Sequence, residues 1–410
     1  MAGEWSQVTL GDVITLQRGF DLPAQDRKPG KIPIVSSSGI TDYHSKVSVP
    51  GPGVVTGRYG TIGQVFLIKE DYWPLNTTLW VKDFHGNDPQ FASYLLRTVD
   101  FRSCSDKSSV PGVNRNDLHL IPVLLPPLTE QRAIAHILGT LDDKIELNRW
   151  MNETLEAMAR TLFKSWFVGF DPVRAKAEGR KPLGMEAATA TLFPDSFQDS
   201  PLGKIPKGWR VGRASELTEL SRDTINPLES PREAFDHYSI PAFDDGRWPK
   251  EETGAEIRSN KYLVPPNAVL LSKLNPRIRR VWLPTVHDDR RSIASTEFLV
   301  TLPTRDTSRE YIYALFSSQP FLEVFTGLVT GTSGSHQRVQ PKSLLDIEVV
   351  LPPAACRASF GRIAGPLFDG VSRNVAEVRT LAAIRDALLP KLISGEIRVR
   401  TESSVATEIA

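Results

Sequence analysis

At 410 residues the chain is too long for one ordinary hydrophobic core, so two or three domains are expected. A composition of 40% hydrophobic and 24% charged residues excludes collagen-like, wholly disordered and disulfide-stapled classes. A formal net charge of +1 argues against indiscriminate coating of nucleic acid, so any DNA binding must rest on charge concentrated on one face or supplemented by a partner.

Residues 1–128 read as a mixed α/β segment opening at Trp5. It has short β-branched runs such as Val54-Val55-Thr56, Gly and Pro turns, and one helix near Phe91–Val99. An alternating apolar stretch from Leu118 to Val123 leads into Leu124-Leu125-Pro126-Pro127. Residues 129–165 predict a long helix, in which Ile134, Leu138, Leu141, Ile145, Asn148, Asn152, Leu155, Ala159 and Leu162 keep a strict 4-3 spacing. At 1.5 Å per residue this helix runs roughly 55 Å, more than one globular segment covers, which favours a coiled coil over a surface helix.

Residues 166–208 form a connector interrupted by Asp171-Pro172, Lys181-Pro182, Phe193-Pro194 and Ile205-Pro206, too proline-broken for regular structure throughout. Residues 209–353 are a second mixed α/β segment. It opens at Trp209, carries Val269-Leu270-Leu271-Ser272 and a helix near Arg309–Leu315, and closes on Val350-Leu351-Pro352-Pro353. A second long helix is expected over 354–397, and a flexible polar tail over 398–410.

The order of these features is one unit written twice, with an offset of 226 between the two Leu-Pro-Pro motifs. Carrying the first seam forward by that offset gives Phe360, Ala364, Leu367, Val371, Asn374, Val378, Leu381, Arg385 and Leu388; Arg385 interrupts it, and Ile384 is the candidate to take the core place. The expected fold is therefore α+β and internally duplicated, its two mixed α/β domains separated by two long helices in an antiparallel coiled coil. Asn148 and Asn374 fall beside the two helix midpoints, where a seam asparagine fixes register, so they are expected to lie close across the helix pair.

The sequence does not complete the catalytic signatures it partly matches. Asn275-Pro276 is followed by Arg277, unlike the aromatic-ended loop that grips a flipped adenine, and Gly203-Lys204 by Ile205, unlike a phosphate-cradling loop. Asp142-Asp143-Lys144 reads as a solvated helix cluster rather than a nuclease metal site, and no histidines stand at metal-ligand spacing. Cys104 and Cys356 are too few for a disulfide framework, which points to a reducing, cytoplasmic location; the start, MAGEWSQVTL, does not read as a secretory signal, and no apolar run is long enough for a membrane span. No catalytic residue, metal or cofactor is assigned to this chain.

Binding text remains. In the first half, Arg58 and Tyr59 lie in a glycine-rich turn, and Lys107, Ser108, Asn114 and Arg115 in a loop of small residues. In the second half, Lys273, Arg277 and Arg279 hold the first place, and Ser335, His336, Gln337 and Arg338 the second. These side-chain types contact phosphates and base edges, and their glycines permit close backbone approach.

Three stretches resemble the specificity subunits of type I restriction-modification enzymes. They are Leu125-Pro126-Pro127-Leu128-Thr129-Glu130-Gln131-Arg132-Ala133-Ile134, the connector from Phe167-Val168-Gly169-Phe170-Asp171-Pro172 to Gly208-Trp209, and Leu389-Pro390-Lys391-Leu392-Ile393-Ser394-Gly395-Glu396-Ile397. The resemblance implies two target recognition domains (1–128 and 209–353), each reading half of a split double-stranded DNA site. It also implies two methyltransferase subunits and motor-nuclease restriction subunits as partners, using S-adenosylmethionine, ATP and Mg. The second half departs from the pattern, with Cys356-Arg357 where the first has Glu130-Gln131. The alternative to DNA reading is a duplicated coiled-coil scaffold that binds only proteins.

Overall fold

The computed structural model describes residues 4–104, 112–287, 289–330 and 337–399. The chain folds as two units: Met1–Glu146 with Arg379–Ala410, and Leu147–Val378.

In the first unit, strand Gly53–Gly57 is buried along its whole length, as its run of small and β-branched residues allows. It lies inside a four-stranded antiparallel sheet in the order Thr15–Arg18, Thr78–Asp83, Gly53–Gly57, Val65–Ile68. A three-stranded sheet, Gly39–His44, Ile32–Ser36, Trp73–Pro74, ends in a parallel pair, and Ser6–Thr9 pairs with Pro122–Leu125. Helix Pro89–Arg97 starts where the Asp88 side chain accepts the Phe91 amide at 2.9 Å, with Pro89 at its first position. Its residues Phe91, Tyr94 and Leu95 share a core with Leu10, Leu79, Ile134, Leu138 and Leu392.

The second unit repeats the plan. Its four-stranded sheet runs Thr218–Leu220, Phe298–Pro303, Val269–Ser272, Val281–Trp282, with Val269–Ser272 again fully buried and in the matching place. The second sheet has grown to five strands but keeps one parallel pair, Ala234–Tyr238 with Arg291–Ala294. Arg210–Arg213 pairs with Glu348–Leu351, and the Ser308 side chain caps helix Arg309–Ser317 by accepting the Tyr311 amide. The duplication read from the sequence is thus present in the strand order itself.

Before each Leu-Pro-Pro the expected strand is split. Short helices Arg115–His119 and Pro341–Leu345 come first, placing Leu118 and Leu344 in the cores, and the strands begin only at Pro122 and Glu348. The long helices span Leu128–Phe167 and Ala354–Ile393. The second stops short of residue 397 because Gly395 takes a left-handed φ of 75°, and the Ser394 and Ile397 amides bond back to Pro390 and Lys391 carbonyls.

Within the second unit the helices pair antiparallel. Asn374 Nδ2 donates to Asn152 Oδ1 at 2.9 Å and Asn148 Nδ2 to Glu377 Oε2 at 3.0 Å. The two repeat-equivalent asparagines therefore each reach across the helix pair, and the register partner of Asn374 is Asn152, one turn from Asn148. Within the first unit Arg385 bonds Asp142 at 2.7 Å, and Asp142 also accepts Tyr94 Oη at 2.7 Å and Arg97 Nη1 at 3.2 Å. Asp142 is accordingly a half-buried anchor and not the freely solvated charge expected. Arg385 keeps the seam position, while Ile384, expected in the core, is 43% exposed.

The connector is more ordered than its prolines imply. It contains helices Asp171–Ala177 and Ala187–Ala190 and the strand pair Phe197–Gln198 with Ile205–Pro206. Trp166, Phe167, Phe170, Val173, Phe193 and Ile205 belong to the largest core of the second unit. Prolines at helix starts and turns remove amides that had no helical partner to lose, so the aromatic residues decide the packing. The tail is likewise held at its start: Arg398 and Val399 bond Glu130, and residues 400–410 lie outside the described residues.

Candidate nucleic-acid interface

Each fully buried central strand delivers a basic turn. Gly53–Gly57 ends at Arg58 and Tyr59, whose amides donate to the Thr77 carbonyl at 2.9 and 3.2 Å. A Cβ on Gly57 would lie 1.9 Å from the Thr61 carbonyl oxygen, and Gly60 and Gly63 adopt φ of 81° and 85°, so this turn requires its glycines. The Arg58 guanidinium lies 4.6 Å from the centroid of the Tyr59 ring, a cation-π contact on an exposed aromatic. Tyr59 also forms a backbone bridge to Gly112, and Val113 donates to the Arg58 carbonyl at 3.0 Å.

Val269–Ser272 delivers Lys273 in the same way. The Lys273 amide donates to the Glu297 carbonyl, its carbonyl accepts the Val339 amide at 3.1 Å, and Leu274 bridges Arg338. Asn275 turns the chain with a φ of 46°, its amide donating to the Gln337 carbonyl at 2.9 Å; its Oδ1 is buried without a partner. In both units the structure thus joins the two stretches that the sequence matched as binding loops: Arg58-Tyr59 with Gly112-Val113, and Lys273-Leu274-Asn275 with Gln337-Arg338.

The individual candidates differ in how free they are. Arg58 is partly exposed, and Arg115, Arg277 and Arg279 are exposed. Asn114 spends its side-chain oxygen on capping helix Arg115–His119, accepting the Asn116 amide at 3.0 Å. Arg338 is committed to a bidentate pair with Glu297 at 2.9 and 3.0 Å. The guanidinium holds the Glu297 carboxyl below its ordinary range against the opposing pull of burial. Lys107, Ser108, Ser335 and His336 lie outside the described residues.

Three supporting roles have no local signal in the sequence. Arg280, in the same basic run as Arg277 and Arg279, is buried and pairs with Asp244 through two bonds of 2.7 and 2.8 Å. Glu297 is the anchor of Arg338, and His119 Nε2 accepts the Leu16 amide at 2.9 Å. Sequence separations of 36 for Arg280 with Asp244 and 41 for Arg338 with Glu297 leave no local spacing that could reveal these pairs. Among the described residues no group of three His, Cys, Asp or Glu side chains is placed to hold a metal ion, and no helix is long and apolar enough to cross a membrane.

Comparison with known proteins places this arrangement in context. Residues 2–157 match the family model for the type I restriction modification DNA specificity domain. The chain is 24% identical to the type I restriction enzyme HindI specificity subunit of Haemophilus influenzae, over 96% of this chain and 100% of that protein. It is also 24% identical to the MjaIX specificity subunit of Methanocaldococcus jannaschii, over 89% of this chain and 82% of that one. The crystal structure of a type I restriction-modification S subunit from M. genitalium shares the fold, with a TM-score of 0.59 at 15% identity, over 95% of this chain and 96% of that one.

Proposed function

We propose that the chain is a type I restriction-modification specificity subunit, which reads a bipartite duplex DNA target and directs partner subunits to it. One observation carries the reading. In each unit a basic turn at the end of a fully buried strand is tied by backbone bonds to a second polar loop, giving two equivalent recognition edges in one chain. A rigid strand positions such an edge closely, while loop residues remain free to vary in what they contact.

In this reading the chain itself does no chemistry. Two methyltransferase subunits using S-adenosylmethionine modify adenines at the bound site, and restriction subunits using ATP and Mg cut unmodified DNA, all in the cytoplasm. Base edges are read by Arg58, Tyr59, Gln337 and the loops beside them, and phosphates are held by Arg115, Lys273, Arg277 and Arg279.

The test replaces residues 1–128 with the corresponding domain of another specificity subunit and maps methylated adenines. One half of the target should change and the other should stay. Alteration of both halves would show that the units do not read independently. A wild-type chain that assembles with a methyltransferase yet shows no preference among duplex sequences would instead support a protein-only scaffold.

A further inference from the structure

Within the second unit, a recess of about 210 Å³ opens beside the first long helix. Arg160, Lys164, Arg279, Ser318, Gln319 and Pro320 are among the residues lining it. Arg160 and Lys164 stand four apart and so share one helix face, while Arg279 comes from the basic turn that follows strand Val269–Ser272. Two separate elements therefore bring three cations to one concavity.

The charges around it are not balanced. Glu156 is the carboxylate paired there, and it is shared by Arg160, at 3.2 Å, and Arg247. The side chains of Lys164 and Arg279 have no ion-pair or hydrogen-bond partner among the described residues. Like charges gathered on a folded surface cost free energy unless an anion joins them. At about 210 Å³ the recess is smaller than the roughly 300–1,000 Å³ typical of small-molecule pockets, yet large enough to admit a phosphate group.

We propose that this recess holds a backbone phosphate of bound DNA, so that the long helix of the second unit contributes to DNA binding along with the recognition loops. The inference rests on the DNA-reading function proposed above and adds to it the long helix, whose Arg160 and Lys164 join Arg279 of the recognition turn. A nucleic acid is favoured over an acidic protein partner because Arg279 lies within the same turn as Lys273 and Arg277, so one ligand can meet the turn and the helix together. The site belongs to one half alone. At the repeat offset of 226, Arg160 and Lys164 correspond to Asp386 and Pro390. The turn of the first unit, residues 58–64, carries Arg58 as its one cation, against Lys273, Arg277, Arg279 and Arg280 in residues 273–280 of the second.

The experiment uses the full chain, alone and assembled with its methyltransferase subunits, and measures binding to cognate and random duplexes from low to high salt. The variant Lys164→Gln/Arg279→Gln removes the two unpartnered cations and leaves the Arg160–Glu156–Arg247 group intact. Its binding should weaken roughly three- to tenfold on both duplexes, and the slope of log K against log salt should shrink by about 1, with the cognate-to-random ratio unchanged. An unchanged slope in a variant that melts like the wild type overturns the phosphate site. Loss of the cognate preference alone would assign the pair to base reading, and failed assembly with unchanged DNA binding would assign it to an acidic protein surface; both overturn it. A wild-type complex without sequence preference or salt dependence would remove the underlying DNA-reading function, an outcome distinct from all of these.

Discussion

The starts of the two long helices occupy equivalent places in the repeat and are held in opposite ways. In the first unit Glu130 is 5% exposed, accepts the Trp5 indole N–H at 2.9 Å, and takes both branches of the Arg398 guanidinium at 2.8 Å. Gln131 beside it accepts the Asp88 amide and donates to the Asn87 side chain and the Pro126 carbonyl. In the second unit the same positions are Cys356 and Arg357. The Cys356 thiol is buried against the Leu192 carbonyl, and burial pushes its pKa up to about 11. Arg357 bonds the Pro352 and Asp306 carbonyls. Trp209, the counterpart of Trp5 at the opening of the second half, has a buried indole N–H with no partner. The first unit holds its helix by a polar network, and the second by an aromatic core. A duplicated fold therefore does not require duplicated bonds, provided each half satisfies or avoids its own buried charge.

The sharpest way to break this comparison is to exchange the key residues. Cys356→Glu would bury a carboxylate with no counterpart of Arg398 to pair it, since position 172, one offset from Arg398, is a proline and the neighbouring Arg357 already bonds the Pro352 and Asp306 carbonyls. It should cost about 3–5 kcal/mol, the penalty for a buried charge without its ion partner. The reverse change, Glu130→Ala, strands the Trp5 N–H and Arg398 but leaves them nearer to solvent. It should cost about 2–3 kcal/mol, confined to the first unit. Hydrogen exchange resolves the two, because peptides from 128–146 and 354–378 report on different units. Equal loss of protection in both units after Glu130→Ala would show that the network is not local.

Acid provides a milder probe of the same network. Burial pushes the Glu130 carboxyl up, but the hydrogen bonds from Arg398 and Trp5, the Arg398 charge and the Val399 amide outweigh it, and the net position is below the ordinary value. A carboxyl depressed in the folded state stabilises above its unfolded pKa of about 4.3, and that stability is lost as pH falls through the lower folded value. Denaturation midpoints of the first unit should therefore fall between about pH 5 and 3, and fall less steeply in Glu130→Gln. Superimposable profiles for the two proteins would remove Glu130 from the acid response.

Much of this architecture was legible because it is written in periodicity and repetition. The seam spacing gave both helices to within a few residues, and the repeated order of motifs matched turns that occupy equivalent places in the sheets. The connector was misjudged because prolines are conspicuous in a sequence, whereas the joint burial of Trp166, Phe193 and Ile205 depends on distant chain segments. Site residues were only half legible for a related reason. Sequence shows that Arg277, Arg279, Arg280 and Arg338 are basic, but Asp244 and Glu297 decide which of them are free, and those partners lie 36 and 41 residues away.

The finest test concerns Asn148 and Asn374, identical residues at equivalent positions of the repeat. Asn374 finds Asn152 across the pair, a matched amide that can accept its N–H. The residue equivalent to Asn152 in the second helix is Val378, which offers nothing to Asn148. Asn148 instead donates to Glu377, and its Oδ1 stays buried without a partner. A buried acceptor left unpaired costs about 1–3 kcal/mol, more than the single bond that Asn148 makes returns. Asn148→Leu should therefore stabilise the second unit by roughly 0.5–1 kcal/mol, since Leu also suits a seam position. Asn374→Leu should destabilise it by about 1 kcal/mol, because it strands the Asn152 oxygen beside an apolar side chain. Equilibrium unfolding of the two single variants and their double measures both signs directly. If both substitutions stabilise equally, the asparagines act alike, and the broken symmetry at Val378 has no energetic consequence. Opposite signs would show that one asparagine holds the register and the other is retained at a cost.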